Sequence, residues 1–182
     1  VSTPPNPKAQ DALLTELELV SRGGSYPAAF DTVFFGGGTP SLLGGEQMRR
    51  KRRDLQIIFQ DPLASLNPRM TVGEIVSDPL KTLRPEINGR QRRQRVMDIM
   101  EAVGLQPEMI NRYPHEFSGG QAQRIGIARA LISEPKLIVC DEPVSALDVS
   151  IQAQILNLLS ELKDQFGLTL IFISHNLSVV RH

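Results

Sequence analysis

The chain has 182 residues, of which 41% are apolar, and its twenty basic residues balance its twenty acidic ones; it can form one ordinary core, and no net charge draws it to nucleic acid or an anionic membrane. The single cysteine, Cys140, excludes an internal disulfide and any multi-cysteine metal site built from this chain alone, and is typical of a cytoplasmic protein. No window approaches the roughly 18 consecutive apolar residues of a membrane span, and the first ten residues lack the apolar core of a secretory signal.

The first 45 residues predict three features in order. Residues 1–9 contain three prolines and almost nothing apolar, so they predict a loose tail. Residues 10–45 predict a short helix with a leucine-rich face, a compact strand at "DTVFF" and a glycine turn at "GGGTP". The chain begins without methionine and stops inside a predicted helix, so we expect a fragment.

The composition changes abruptly at Gly44 and Gly45, where we place a domain boundary. Five consecutive basic residues, 49–53, precede a second predicted strand at residues 55–60. The basic run fits either a nucleic-acid patch or a solvated helix end. The zero net charge and the lack of interleaved aromatic residues favour the helix end.

The middle of the chain predicts helices. Thr71 and Glu74 form the S/T-x-x-E capping pattern that opens a helix. A further helix has Gly104 as its stop and an apolar stripe of Val96, Ile99, Met100 and Val103. Two short helices in this section predict a helical subdomain at about residues 62–117, inserted into a fold that is otherwise built on a sheet.

From Pro135 the pattern is strand, helix, strand. "KLIVCDEP" and "LTLIFISH" flank a helix whose apolar residues recur at helical spacing: Ile151, Ile155, Leu158, Leu159, Leu162 and Phe166. This order predicts an α/β fold with a parallel sheet covered on both faces.

Polar residues follow two of the predicted strands. Asp141 and Glu142 end the first, at the carboxyl edge where open α/β sheets bind ligands. Because neighbouring strand residues point opposite ways, one acid can face a metal and the other a water. A simple turn that begins at these two residues, before Pro143, fits the sequence equally well. His175 ends the next strand and can reach a phosphate, but an isolated histidine there is more often structural.

"FSGGQAQRIGIARAL" predicts a helix that begins at an anion site. Ser118 is a good N-cap, two glycines allow close backbone approach, and Ile125, Ala128 and Leu131 form a buried face. The free N–H groups and the positive dipole end of such a helix suit a phosphate. Three residues alone would fit a simple turn and cap as well.

These motifs together resemble a known family. "FSGGQAQRIGIARAL", "LIVCDEP", "SALD" and "ISH", in this order, resemble the ATP-binding cassette (ABC) ATPases. "IIFQDPLASLNPRMTVGEI" and "RYPHEFSGGQ" are similar to the ATP-binding subunits of bacterial oligopeptide and dipeptide importers. The resemblance covers about residues 46–182 and implies an incomplete P-loop NTPase fold, with ATP and Mg²⁺ as cofactors.

The resemblance implies roles for nine of the residues. Gln60 would touch Mg²⁺ and the attacking water, Asp141 would hold Mg²⁺, Glu142 would orient or deprotonate the water, and His175 would lie at the γ-phosphate. A second group would act across a cassette dimer, with a signature motif over the partner's ATP and a dimer contact: Ser118, Gly119, Gly120 and Gln121, then Asp148. Asn176 stands where many cassettes have aspartate, a mild departure.

The 182 residues contain no phosphate-binding loop of the kind that such enzymes use. The Walker A pattern G-x-x-x-x-G-K-[ST] is expected before about residue 46, and the chain contains no G-K-[ST]. We therefore expect weak or no ATP binding by the isolated chain. Its signature motif would still cap the nucleotide of an intact second ATPase subunit.

The resemblance also implies partners and a location. We expect transmembrane permease subunits, no nucleic acid, and a cytoplasmic location at the inner membrane through the permease. Two alternatives remain open: a DNA-associated ABC-type ATPase, and a non-enzymatic module that docks on a permease through Gln60 and the helices up to Met109.

Residues 10–44 resemble part of the radical S-adenosylmethionine enzymes related to oxygen-independent coproporphyrinogen oxidase. "FDTVFFGGGTPSLL" carries this resemblance, but the three-cysteine cluster motif is absent, which nearly excludes radical chemistry. The sequence therefore indicates a chimera joined near Gly44 or Gly45. It also suggests that residues 32–35 take the place of the missing Walker strand in the sheet.

Overall fold

The computed structural model describes the backbone of residues 45–174 and the side chains of residues 50–174. The chain divides into two units, Val1–Gly45 and Glu46–His182, and the account below concerns the second. The predicted tail, helix, strand and glycine turn of the first unit lie outside the described residues. So do His175, Asn176 and the suggested place of residues 32–35 in the sheet.

A run of helices separates the first strand of the second unit from the second strand. Two short 3-10 helices, Pro107–Asn111 and Pro114–Glu116, lie between the third and fourth α-helices. The remaining elements, in chain order, are α1 (Gly45–Asp54), β1 (Leu55–Ile58), α2 (Val72–Leu83), α3 (Gly89–Ala102), α4 (Gly119–Leu131), β2 (Leu137–Asp141), α5 (Val149–Phe166) and β3 (Thr169–Ile173).

The three strands form a parallel sheet in the order β1-β2-β3, which confirms the predicted sheet. Ile58 pairs with Cys140, and Asp141 pairs with Ile173, so the carboxyl ends of the strands share one edge. Ile58, Ile138 and Cys140 are buried, and α4 packs against both β1 and α5. The polar residues at the strand ends are therefore held in place by a buried apolar sheet.

The sequence predicted β1 to be longer than it is. Strand pairing ends at Ile58, whereas the prediction extended to Gln60. Residues 61–65 form a hydrogen-bonded turn, in which Ser65 N–H donates to the carbonyl of Asp61 at 3.1 Å. The chain therefore leaves the sheet early, and Gln60 lies between a strand end and a turn.

Basic residues crowd the last turn of α1, as the helix-end interpretation of residues 49–53 predicts. Lys51, Arg52 and Arg53 occupy that turn, and Lys51 and Arg52 are exposed. Cations are favourable there because the negative end of the helix dipole faces them.

Helix α2 begins with the predicted capping box. The Glu74 N–H donates to the Thr71 hydroxyl oxygen at 3.4 Å, and the Thr71 N–H donates to the Glu74 carboxylate at 2.8 Å. That second hydrogen bond, with one from the Thr71 hydroxyl, lowers the pKa of Glu74. Helix α3 has a second box, between Asn88 and Gln91, which the sequence analysis missed.

Gly104 ends α3 as predicted, because it adopts the left-handed conformation with φ of 73°. The Leu105 N–H donates to the Met100 carbonyl at 2.8 Å, and the Gly104 N–H donates to that of Glu101 at 2.9 Å, the hydrogen-bond pattern of a Schellman cap. The predicted stripe of α3 is buried: Val96, Ile99, Met100 and Val103.

The helix α5 stripe is correct in its centre and wrong at its end. Ile155, Leu158, Leu159 and Leu162 are buried, whereas Phe166 is 42% exposed. Phe166 is the last residue of the helix, and the chain reverses at Gly167, whose φ is 64°.

Gly73→Ala is expected to destabilise the protein by about 1–3 kcal/mol, the usual cost of forcing extra atoms into a packed site. A Cβ atom at Gly73 would lie 2.5 Å from Ile110 Cγ1 and 3.1 Å from the Ile110 carbonyl oxygen. Gly89→Ala is the matched control, because a Cβ there meets nothing within 4 Å. Urea unfolding of both variants measures the difference, and equal midpoints would contradict the expected clash.

Candidate functional site

Gln60 and Glu142 meet at the carboxyl edge of the sheet. The Gln60 side-chain nitrogen, Nε2, donates a hydrogen bond to Glu142 Oε2 at 2.8 Å, across 82 residues of sequence. Gln60 follows β1, and Glu142 follows β2 directly. Parallel pairing of these two strands brings the two side chains together.

Glu142 has a backbone conformation that the sequence analysis did not predict. Its φ is 46°, in the left-handed region that residues other than glycine rarely adopt. Its N–H donates to the Ile173 carbonyl at 2.9 Å, and its carbonyl accepts from the Ser145 hydroxyl at 3.1 Å. The predicted alternation of side chains along a strand was therefore wrong for Glu142. This residue lies past the end of the strand, and its positive φ sets the direction of its side chain.

Asp141 is the last residue of β2 and is half-buried. Within residues 50–174, no group of three or more histidine, cysteine, aspartate or glutamate side chains is placed to hold a metal ion. Mg²⁺ differs from most metals in this respect, because it usually binds through one or two carboxylates and completes its shell with water and phosphate oxygens. Asp141 and the amide oxygen of Gln60 fit that donor chemistry.

Helix α4 begins at the predicted cap. The Gln121 N–H donates to Ser118 Oγ at 3.4 Å, and the Ser118 N–H donates to the Gln121 side-chain oxygen at 3.1 Å. The predicted buried face, Ile125, Ala128 and Leu131, is confirmed. Ser118 is exposed at the positive end of a 13-residue helix, which suits contact with an anion.

The two glycines of this motif pack against the start of α5. A Cβ on Gly120 would lie 2.7 Å from Ile151 Cγ2, and one on Gly119 would lie 3.4 Å from Leu147 Cδ2. Asp148 is the exposed N-cap residue of α5, and its side chain makes no capping hydrogen bond. Gly120 thus has a packing role, which only the distant Ile151 reveals.

Two arginines of α4 hold neighbouring segments, and the sequence analysis singled out neither. Arg129 Nη1 donates to the Ser65 carbonyl at 2.6 Å, in the turn that follows Gln60. Arg124 Nη1 donates to the Val103 carbonyl at the end of α3. Each hydrogen bond joins residues far apart in sequence, so no local sequence pattern could have predicted either contact.

Cys140 does not contribute a reactive group. Burial raises the pKa of its thiol to about 12, so the thiol stays protonated near neutral pH.

The sequence model of the ABC transporter family matches residues 24–145, more than half of the chain. The chain belongs to the ABC transporter family. It is 65% identical over 143 residues to the oligopeptide transport ATP-binding protein OppF of Salmonella typhimurium, covering 78% of this chain and 43% of that protein. The oligopeptide transport ATP-binding protein AppF of Bacillus subtilis is 54% identical over 158 residues, which cover 86% of this chain and 48% of AppF.

Solved ABC cassettes share the fold. The cassette MJ0796, in a post-hydrolysis dimer bound to ADP and Pi, superposes with a TM-score of 0.64 at 34% identity, covering 76% of this chain and 60% of that one. The cbiO1 protein of Clostridium perfringens, part of the ABC transporter complex cbiONQ, gives 0.67 at 28% identity, covering 75% and 53%. The fold is therefore that of an α/β P-loop NTPase cassette with a parallel sheet and a helical subdomain.

The comparisons correct the interpretation of residues 10–44. They give no support to the radical S-adenosylmethionine resemblance, and the ABC transporter match begins at residue 24, inside that segment. The hypothesis of a chimera loses its main argument. The chain spans less than half the length of OppF and AppF. Among the described residues, no helix combines the length and apolarity of a membrane span.

Proposed function

We propose that this ABC chain serves as an ATP-binding cassette of an oligopeptide or dipeptide importer. The proposal is supported by its similarity to OppF and AppF, whose names describe oligopeptide transport and ATP binding. The structural observation that carries it is the hydrogen bond between Gln60 and Glu142, two residues selected from sequence for one hydrolytic site. In this proposal the chain works with a second cassette and with permease subunits, at the cytoplasmic side of the membrane.

The residues at the sheet edge have different roles in the proposed hydrolysis. Asp141 and the Gln60 amide oxygen would hold Mg²⁺, which would neutralise charge on the phosphates. Glu142 accepts a proton from the attacking water or orients it, and the Gln60 amide fixes the Glu142 carboxylate by donating to Oε2. His175, which lies outside the described residues, is assigned to the γ-phosphate.

Helix α4 completes a different nucleotide site. Ser118, Gly119, Gly120 and Gln121 are assigned to the nucleotide that a second cassette holds, and Asp148 to the contact between the two. The exposed N-terminus of α4 supports this role, because its N–H groups and dipole favour the charge of a terminal phosphate. The chain's own site lacks a G-K-[ST] sequence, so we propose that hydrolysis there is impaired.

Titration of this chain into a purified intact cassette subunit of an oligopeptide importer tests the proposal. We expect ATP turnover of the partner to change with the ratio of the two chains and to saturate, because each partner site gains one copy of α4. The chain alone serves as the blank. Constant turnover over the whole range of ratios would contradict the proposed function.

A further inference from the structure

The turn that follows Gln60 is tied to α4 by one side chain. Arg129 Nη1 donates to the Ser65 carbonyl at 2.6 Å, and Arg129 Nη2 donates to Ser65 Oγ at 3.4 Å. Charge-assisted hydrogen bonds of this kind are roughly twice as strong as neutral ones. A single guanidinium thus connects the last turn of α4 with a loop 64 residues earlier in the sequence.

Hydrogen bonds within the turn connect Ser65 to Asp61, the first residue of the turn. The Ala64 N–H donates to Asp61 Oδ1 at 3.0 Å, and the Ser65 N–H donates to the Asp61 carbonyl at 3.1 Å. Ser65 Oγ in turn donates to the Pro62 carbonyl at 2.9 Å. Residues 61–65 are therefore joined by hydrogen bonds into one turn, and Gln60 is covalently bonded to the first of them.

Gln60 is held from both sides. On one side, β1 is fixed by the pairing of Ile58 with Cys140. On the other side, the turn is fixed at Ser65 by Arg129, and the neighbouring Leu66 is only 3% exposed. The Gln60 side chain is exposed, so its contact with Glu142 depends on where these two anchors place the backbone.

Arg129 is suited to act as an anchor because it is partly removed from solvent. Desolvation lowers the pKa of its guanidinium, and the nearby charge of Asp78 opposes that shift. The group still carries its charge at neutral pH, since arginine titrates only far above it. A charged donor in this partly dry position has little water to compete with Ser65.

We propose that Arg129 is a positioning residue: through the 61–65 turn it keeps Gln60 within hydrogen-bond reach of Glu142. Arg129 lies on the helix that begins at Ser118, so one helix both presents the signature motif and sets the place of Gln60. The relevance to hydrolysis rests on the proposed function, whereas the positioning itself is a property of the folded chain without nucleotide.

The test follows the side-chain amide resonances of Gln60 by ¹⁵N NMR in the 182-residue chain, assigned by their loss in Gln60→Ala. Glu142→Ala gives the resonance position without the hydrogen bond. We expect Arg129→Met to move the Gln60 signals at least halfway toward that position. Arg129→Lys keeps a cation with different geometry, and we expect a smaller movement in the same direction.

Arg124→Met is the matched control. Arg124 also lies on α4 and also donates to a backbone carbonyl, that of Val103, but it holds the end of α3. We expect the Gln60 signals to stay within one linewidth of their original position in this variant. Equal shifts in the Arg124 and Arg129 variants would overturn the proposal by showing a general loosening of the helix.

Unchanged Gln60 signals in Arg129→Met also overturn the proposal, and Arg129→Lys decides the question if the methionine variant fails to fold. This experiment contains no nucleotide. Constant ATP turnover in the mixing experiment would therefore defeat the proposed function and leave the positioning result intact. If ATP turnover changes in the mixing experiment but the Gln60 signals stay unchanged in Arg129→Met, only the positioning role of Arg129 is wrong.

Discussion

The isolated 182-residue chain is expected to bind ATP at least about a thousandfold more weakly than a cassette with a phosphate-binding loop. The chain has no G-K-[ST] sequence. Losing three charge-assisted hydrogen bonds to phosphate, at roughly 1.5–3 kcal/mol each, costs about 5–9 kcal/mol. Each 1.4 kcal/mol is about a factor of ten in affinity.

A titration with a fluorescent ATP analogue measures this affinity. An intact OppF-type cassette is the positive control, and the same chain unfolded in urea gives the non-specific background. Micromolar affinity of the folded monomer would show that other residues replace the loop. The neutral net charge makes weak background binding the expected baseline.

Local patterns predicted the elements whose causes are local. The capping box at Thr71 and Glu74 uses residues three apart. Gly104 ends α3 through its own positive φ. The buried stripe of α3 follows from helical spacing alone. Such features are determined within one or two turns of chain, so they can be recognised without the fold.

The sequence singled out Gln60 and Glu142 but could not give the geometry in which they meet. Parallel strands were enough to place Gln60 near Glu142 once the order β1-β2 was known. The positive φ of Glu142 was not predictable, because it depends on hydrogen bonds to Ile173 and Ser145 that exist only in the fold.

Contacts between distant elements stayed hidden for the same reason. Gly120 looks from sequence like a residue that permits a close ligand, yet its lack of a side chain is also required by Ile151 of α5. Arg129 looks like an ordinary helix-surface cation until Ser65 is found beside it. Both assignments need packing partners that no spacing rule can supply.

The difference in partner ATP turnover with and without this chain is expected to be about 100-fold smaller, or less still, for Ser118→Ala. A loss of this size is usual when one donor aimed at developing charge is removed. The Ser118 hydroxyl is exposed at the N-terminus of α4, where the proposed partner nucleotide would lie. The substitution also removes a helix cap, which costs about 1 kcal/mol of stability. Turnover must therefore be measured at a temperature well below unfolding.

Thr71→Ala separates these two effects. Thr71 caps α2 with the same reciprocal box that Ser118 makes for α4, so its removal should cost similar stability. It belongs to no proposed nucleotide contact, and turnover should stay within about twofold, since lost cap energy of this size leaves a stable protein folded. If both variants lower turnover equally, the hydroxyl of Ser118 acts only as a cap. A large loss confined to Ser118→Ala is expected, because the proposed function gives the Ser118 hydroxyl a phosphate contact and gives Thr71 none.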